Sequence, residues 1–188
     1  TTVNAGATLA GTGTAAAVTA ASGATIAPGT DGTVGTLTTG DLALADNTIL
    51  AFDLGAPDSE SESGSDLIQV NGDLTLDGLL DASDAGGVGI GVYRLINYTG
   101  TLTDNGLRVN ALPEGCSLEQ GSIQVSESGQ VNLIIDRAIP AIQFWDGADA
   151  EGDNSIDGGS GSWNLADTNW TEAAGAINAG RTENYALY

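Results

Sequence analysis

Histidine, lysine and methionine are absent from this 188-residue chain, and cysteine occurs once. Without histidine no Ser-His-Asp relay, Cys-His pair or histidine-ligated zinc site can be assembled, which argues against a classical hydrolase. The single thiol, Cys116, has no partner for an internal disulfide, and its neighbours Gly115 and Ser117 offer no activating base. A small buried or half-buried side chain is expected there. Positive charge is nearly as scarce: Arg94, Arg108, Arg137 and Arg181 are the four basic residues against 25 Asp and Glu, a net charge of −21. Such a field repels phosphate backbones and anionic membranes, so nucleic-acid recognition is excluded and no direct membrane insertion is expected. Cations are the natural counter-partners. Long apolar runs are missing as well, and none approaches the ~20 residues of a membrane helix. No charged-then-apolar leader opens the chain at Thr1, so an internal section of a longer exported protein is expected, with signal and anchor outside it.

What is present in excess is glycine, 28 residues, and short apolar runs that bring the hydrophobic share to 41%. That share, placed periodically, argues for a folded acidic surface and against disorder. The Ala-rich stretch Thr14 to Ala21 is the one helical candidate, but its Gly and β-branched flanks read as strand and turn. Elsewhere Asp41-Leu42-Ala43-Leu44, Leu74-Thr75-Leu76 and Val131-Asn132-Leu133-Ile134-Ile135 alternate as strands between Gly, Asn, Asp and Ser. The runs also echo one another. Val3-Asn4-Ala5-Gly6-Ala7-Thr8-Leu9-Ala10-Gly11 returns as Val70-Asn71-Gly72-Asp73-Leu74-Thr75-Leu76-Asp77-Gly78. Gly6-Ala7-Thr8-Leu9-Ala10 returns as Gly23-Ala24-Thr25-Ile26-Ala27, and Gly40-Asp41-Leu42-Ala43-Leu44 as Gly72-Asp73-Leu74-Thr75-Leu76. Internal repetition of short strands predicts a parallel β-helix, a solenoid whose turns bury their apolar side chains only by stacking. At roughly 20 to 25 residues per turn, about eight right-handed turns with loop insertions are expected. Residues 1–137 form the solenoid segment, and the Trp- and Gly-rich residues 138–188 begin the next one.

Several stretches invite a chemical reading. The run Asp58-Ser59-Glu60-Ser61-Glu62-Ser63-Gly64-Ser65-Asp66, an acidic loop near 57–66, has nothing to bury and is expected to be solvated. Calcium or a partner bound by Asp58, Glu60, Glu62 and Asp66 is the alternative, although their spacing matches no defined site. Asp149, Glu151, Asp153 and Asp157 partly follow a calcium loop at relative positions 1, 3, 5 and 9. Asn154 stands where its glycine belongs and Ser160 where its bidentate Glu belongs, so a solvated turn is preferred over calcium. No other cofactor is expected. Trp145, Trp163 and Trp170 are structural or surface aromatics, either packed inside or forming a patch for sugars or another protein. Paired carboxylates keep a polysaccharide-acting β-helix enzyme as a remote alternative. Phe52 is the only aromatic before Tyr93, which leaves the sugar platform of such an enzyme without material.

Longer phrases carry a family resemblance. Ser65-Asp66-Leu67-Ile68-Gln69-Val70-Asn71-Gly72-Asp73-Leu74-Thr75-Leu76-Asp77-Gly78 is similar to S-D-x-I/L-x-V-x-G-x-L-x-L-x-G. Tyr93-Arg94-Leu95-Ile96-Asn97-Tyr98-Thr99-Gly100-Thr101-Leu102 resembles Y-x-L-I-x-Y-x-G-x-L. Both phrases, with Leu112-Pro113-Glu114-Gly115, Phe144-Trp145-Asp146-Gly147 and Trp163-Asn164-Leu165 following in order, resemble the passenger regions of bacterial autotransporters (type V secretion) with their passenger-associated and autotransporter-associated β-strand repeats. The resemblance implies a parallel β-helix carried across the outer membrane to the cell surface and used for adhesion, aggregation or display, with no catalytic residues. Its partners would be neighbouring solenoid segments or copies of itself, and a host or sibling cell surface. A repeat unit of an extracellular filament, stalk or surface coat associating end to end is the alternative.

Overall fold

Leu42-Ala43-Leu44 and Leu74-Thr75-Leu76 bury their two leucines and leave the residue between them half-exposed, as a strand with one wet face must. Runs of this kind build most of the molecule. A computed structural model describes residues 1–30, 32–57, 64–136, 144–148, 155–160, 170–171 and 178–179. The chain divides into two compact units, Thr1–Asp136 and Arg137–Tyr188.

In the first unit a partial turn of β1 (Thr2–Val3) and β2 (Thr8–Gly11) is followed by three full ones. These are β3 (Val18–Ala20), β4 (Thr25–Pro28) and β5 (Thr36–Thr39); then β6 (Leu42–Leu44), β7 (Ile49–Leu54) and β8 (Leu67–Val70); then β9 (Leu74–Leu76), β10 (Leu79–Asp84) and β11 (Gly91–Tyr98). A last partial turn holds β12 (Leu102–Asp104) and β13 (Arg108–Ala111). Three faces result. The first stacks β1, β3, β6, β9 and β12, and the second stacks β2, β4, β7, β10 and β13, all in parallel. The third begins with parallel β5, β8 and β11. It is completed by β14 (Gly121–Gln124), which follows a 3₁₀ turn at Leu118–Gln120 and runs in the direction of β11, and by β15 (Gln130–Ile135), which folds back between β14 and β11 antiparallel to both. The first unit is therefore an all-β parallel solenoid.

Stacking puts like residues on like. Val18, Leu42 and Leu74 align on the first face, Ile26, Leu50 and Leu80 on the second, and Leu37, Ile68 and Ile96 on the third. None of the nine is more than 2% exposed. Each such side chain contributes about 1.5–3 kcal/mol by leaving water, and only the neighbouring turns make that possible.

Two corners hold the coil in shape. Between the first and second faces every turn passes through one left-handed residue, Gly6, Gly23, Asn47, Gly78 or Gly106, with φ from 54 to 102°. Asn47 is the only non-glycine among them, the residue type best able to adopt that conformation after glycine. Between the third and first faces an aspartate clasps the next turn: Asp41 Oδ1 accepts the backbone N–H of Asp73 at 2.9 Å, and Asp73 Oδ1 accepts that of Thr101 at 2.7 Å. The glycine before each recipient gives room. A Cβ on Gly72 would stand 2.1 Å from Asp41 Oδ1, and one on Gly100 would stand 2.3 Å from Asp73 Oδ1.

The count of turns differs from the eight expected over the whole chain: the described residues build three full turns and two partial ones. The steps from Leu42 to Leu74 and from Leu74 to Leu102 on the first face consume more chain than assumed, because loops join the second face to the third. After β14 the chain turns back instead of coiling on. The echoes divide in the same way. Thr8-Leu9-Ala10 lies in register on Thr25-Ile26-Ala27, and Leu42-Ala43 on Leu74-Thr75. The longer echo is out of phase, since Val3 is on the first face and Val70 on the third.

In the second unit, β16 (Phe144–Trp145), β17 (Trp170–Thr171) and β18 (Asn178–Ala179) pair antiparallel. Trp145 sets its ring edge against Trp170 at 5.3 Å, and Trp170 is fully buried.

Candidate functional site

Strand alternation points Ala10, Ala27, Ala51, Asp53, Asp81 and Ser83 outward from the second face. The parallel register brings Ala10 beside Ala27, Ala51 beside Asp81, and Asp53 beside Ser83. Three side chains that stop at Cβ leave the sheet surface low, and a cavity of about 400 Å³ opens over it. Thr8, Thr30, Asp53, Asp66 and Asp81 also line this groove. The outward polar groups are joined across turns: Ser83 donates to the Asp53 carboxylate, and Asn110 Nδ2 donates to Asp81 Oδ1 at 2.6 Å.

Asp66 is the unusual member. It closes the acidic run expected to be solvated, yet its residue is only 1% exposed. Oδ1 accepts the N–H of Gly35 at 2.7 Å and Oδ2 the N–H of Asp53 at 2.8 Å, so one carboxylate ties the approach to β5 to β7. The expectation of a solvated loop is corrected at this residue, because two backbone donors, Gly35 on the preceding turn and Asp53 on its own, draw the side chain inward. Burial pushes its pKa up to about 6 and the Asp53 carboxylate adds to the rise, while the two N–H bonds pull the other way. Asp58, Glu60 and Glu62 of the same run lie outside the described residues.

Of the calcium candidates, Asp149, Glu151 and Asp153 lie outside the described residues. Asp157 is exposed, takes the hydroxyl of Ser155 at 2.7 Å and donates its own N–H to Asp146 Oδ1 at 2.7 Å. Asp146, buried to 1% exposure, organises that turn, and nothing in the spacing of the run singled it out. No group of three or more His, Cys, Asp or Glu able to hold a metal occurs among the described residues. Trp145 donates Nε1–H to the carbonyl of Gly159 at 3.0 Å, while Trp163 lies outside the described residues. Cys116 is half-buried against the solenoid core.

The groove has the form of a recognition surface: a low apolar floor with charge along its rim. Among the described residues its lining includes no histidine, cysteine or basic side chain.

The chain is similar to the Adhesin BmaC autotransporter of Brucella suis biovar 1 (strain 1330), 47% identical over 142 residues, which cover 73% of this chain and 4% of that protein. The match thus spans a small part of the relative's length. No family model matches the chain, and no solved structure matches it.

Proposed function

With the chain identified as a segment of an autotransporter adhesin passenger folded as a β-solenoid, we propose that it is a non-enzymatic, surface-displayed length of rod whose side face adheres to a host or sibling cell. The observation that carries this reading is the 47% identity to a protein named as an adhesin. Three features of the chain support it. The chain has no histidine for acid–base work, its net charge of −21 keeps an exported surface soluble, and its stacked turns hold a groove open on one face. We take the coil to be right-handed, because connections between parallel strands of one sheet are so in about 98% of cases. Neighbouring solenoid segments are its natural partners along the axis, and a cell surface its partner from the side.

Beads coated with the purified chain test the adhesive role. They are expected to settle on host or sibling cells more than albumin-coated beads do. Equal settling would refute adhesion, and end-to-end polymers forming in the same preparation would point to the filament role instead.

A further inference from the structure

We propose that the groove on the second face docks an extended segment of a partner protein that carries lysine or arginine side chains. This deepens the adhesive reading and rests on it for the partner's presence at the surface.

The shape sets the first requirement. Ala10, Ala27 and Ala51 lie on successive turns, which repeat at about 4.8 Å, so the low floor runs along the coil axis and crosses several strands. A slim, extended occupant fits such a channel. Charge sets the second. Among the described residues, Asp53, Asp66 and Asp81 line the groove and no basic residue does. A lysine or arginine meets both requirements within one side chain, laying its alkyl stem on the alanines and presenting its charged head to a carboxylate. A second copy of this chain is a poor occupant, because it brings a net charge of −21, with four arginines and no lysine against 25 acidic residues. A neutral glycan finds little to stack on, since the ring of Phe52, the one aromatic lining the groove, belongs to a residue only 1% exposed.

The probe is an acetylated, amidated hexapeptide alternating glycine and lysine, titrated calorimetrically into the whole 188-residue chain at low salt, beside the same peptide with glutamate for lysine. Saturable binding of the lysine peptide alone is expected, and it should weaken severalfold as salt rises from 50 to 300 mM. Asp53→Asn and Asp81→Asn together should weaken it roughly three- to tenfold. Ala51→Leu should weaken it comparably by raising the floor. These side chains face outward, so an unchanged circular dichroism spectrum should accompany each variant. Glu127→Gln, on the exposed turn between β14 and β15, removes one charge elsewhere and should leave binding unaltered.

Binding that is absent, or unchanged by Ala51→Leu, or weakened as much by Glu127→Gln as by the groove substitutions, would overturn the proposal. So would saturable binding of maltohexaose in place of the peptide. The two readings fail separately. Coated beads that adhere while groove variants bind the peptide normally sink the groove and leave the adhesive role. A groove that binds as described on beads that do not adhere sinks the role and leaves the groove.

Discussion

The buried carboxylate of Asp66 makes folding stability depend on pH in an unusual direction. Its pKa stands at about 6 in the folded chain against 3.8 for the free side chain. The folded state therefore holds a proton that the unfolded state has already released. By linkage, stability is greatest below the unfolded value and is lost as pH rises from about 4 through about 6. A shift of this size corresponds to about 3 kcal/mol at most, and solvent reaching the groove reduces it to about 1–3 kcal/mol. Asp53 lines the same groove and, among the described residues, is the carboxylate whose charge adds to the shift. The perturbation is Asp66→Asn, which removes the titration and keeps an oxygen for one of the two N–H donors. Urea unfolding of both proteins at pH 4.5, 5.5, 6.5 and 7.5 gives two stability profiles. The native chain should exceed the variant in its loss of stability between pH 4.5 and 7.5 by about 1–2 kcal/mol, because part of the loss has already occurred below pH 4.5. The difference between the profiles decides the matter, because the variant also loses one hydrogen bond at every pH. Parallel profiles would refute the linkage, and a native profile that gains stability relative to the variant with rising pH would reverse its sign.

Three further pairs of substitutions probe the coil itself. Gly100→Ala places a Cβ 2.7 Å from the carbonyl of Gly72 as well as against Asp73, and should lower stability by about 1–3 kcal/mol. Gly13→Ala, with nothing within 4 Å, should stay within about 0.5 kcal/mol; the two denaturation midpoints make the comparison. Asn47→Ala should cost about 1 kcal/mol at the left-handed corner, while Asn47→Gly should be close to neutral in the same assay. Leu76→Ala, fully buried, should cost about 3 kcal/mol, against almost nothing for Leu118→Ala at 52% exposure.

Much of the coil is legible in its residues because stacking demands likeness at equal positions. Gly40-Asp41-Leu42 and Gly72-Asp73-Leu74 match because the same corner recurs and needs a small residue, an acceptor and a core side chain in that order. The same economy misleads for Val3 and Val70. Every corner joins two short alternating strands, so a good match need not mean the same face. The turn-back of β14 and β15 has a visible signal, since Ser126-Glu127-Ser128-Gly129 is too short a connection to return a parallel strand. Asp66 is hidden for a physical reason. Its burial depends on N–H groups of Gly35, one turn earlier, and of Asp53, on the preceding strand, and along the chain it looks like one more acid among serines. Its place directly before Leu67-Ile68 is the one local hint. The groove is half legible: the echo that aligns Ala10 with Ala27 foretells a floor, but which carboxylates reach the rim depends on how the turns stack.

The aspartate clasps have a mechanical consequence. A rod pulled along its axis carries the load through every turn in series, so it parts at its weakest link and not at its average one. Asp41 and Asp73 each fasten the turn that follows them, but the equivalent place one turn earlier is Ala17, whose side chain has no acceptor to offer. Under tension the first face should part first between β3 and β6, while Asp66 still ties those two turns together through the N–H of Gly35. Sequence there sets where a stretched rod yields before it sets how strongly it sticks.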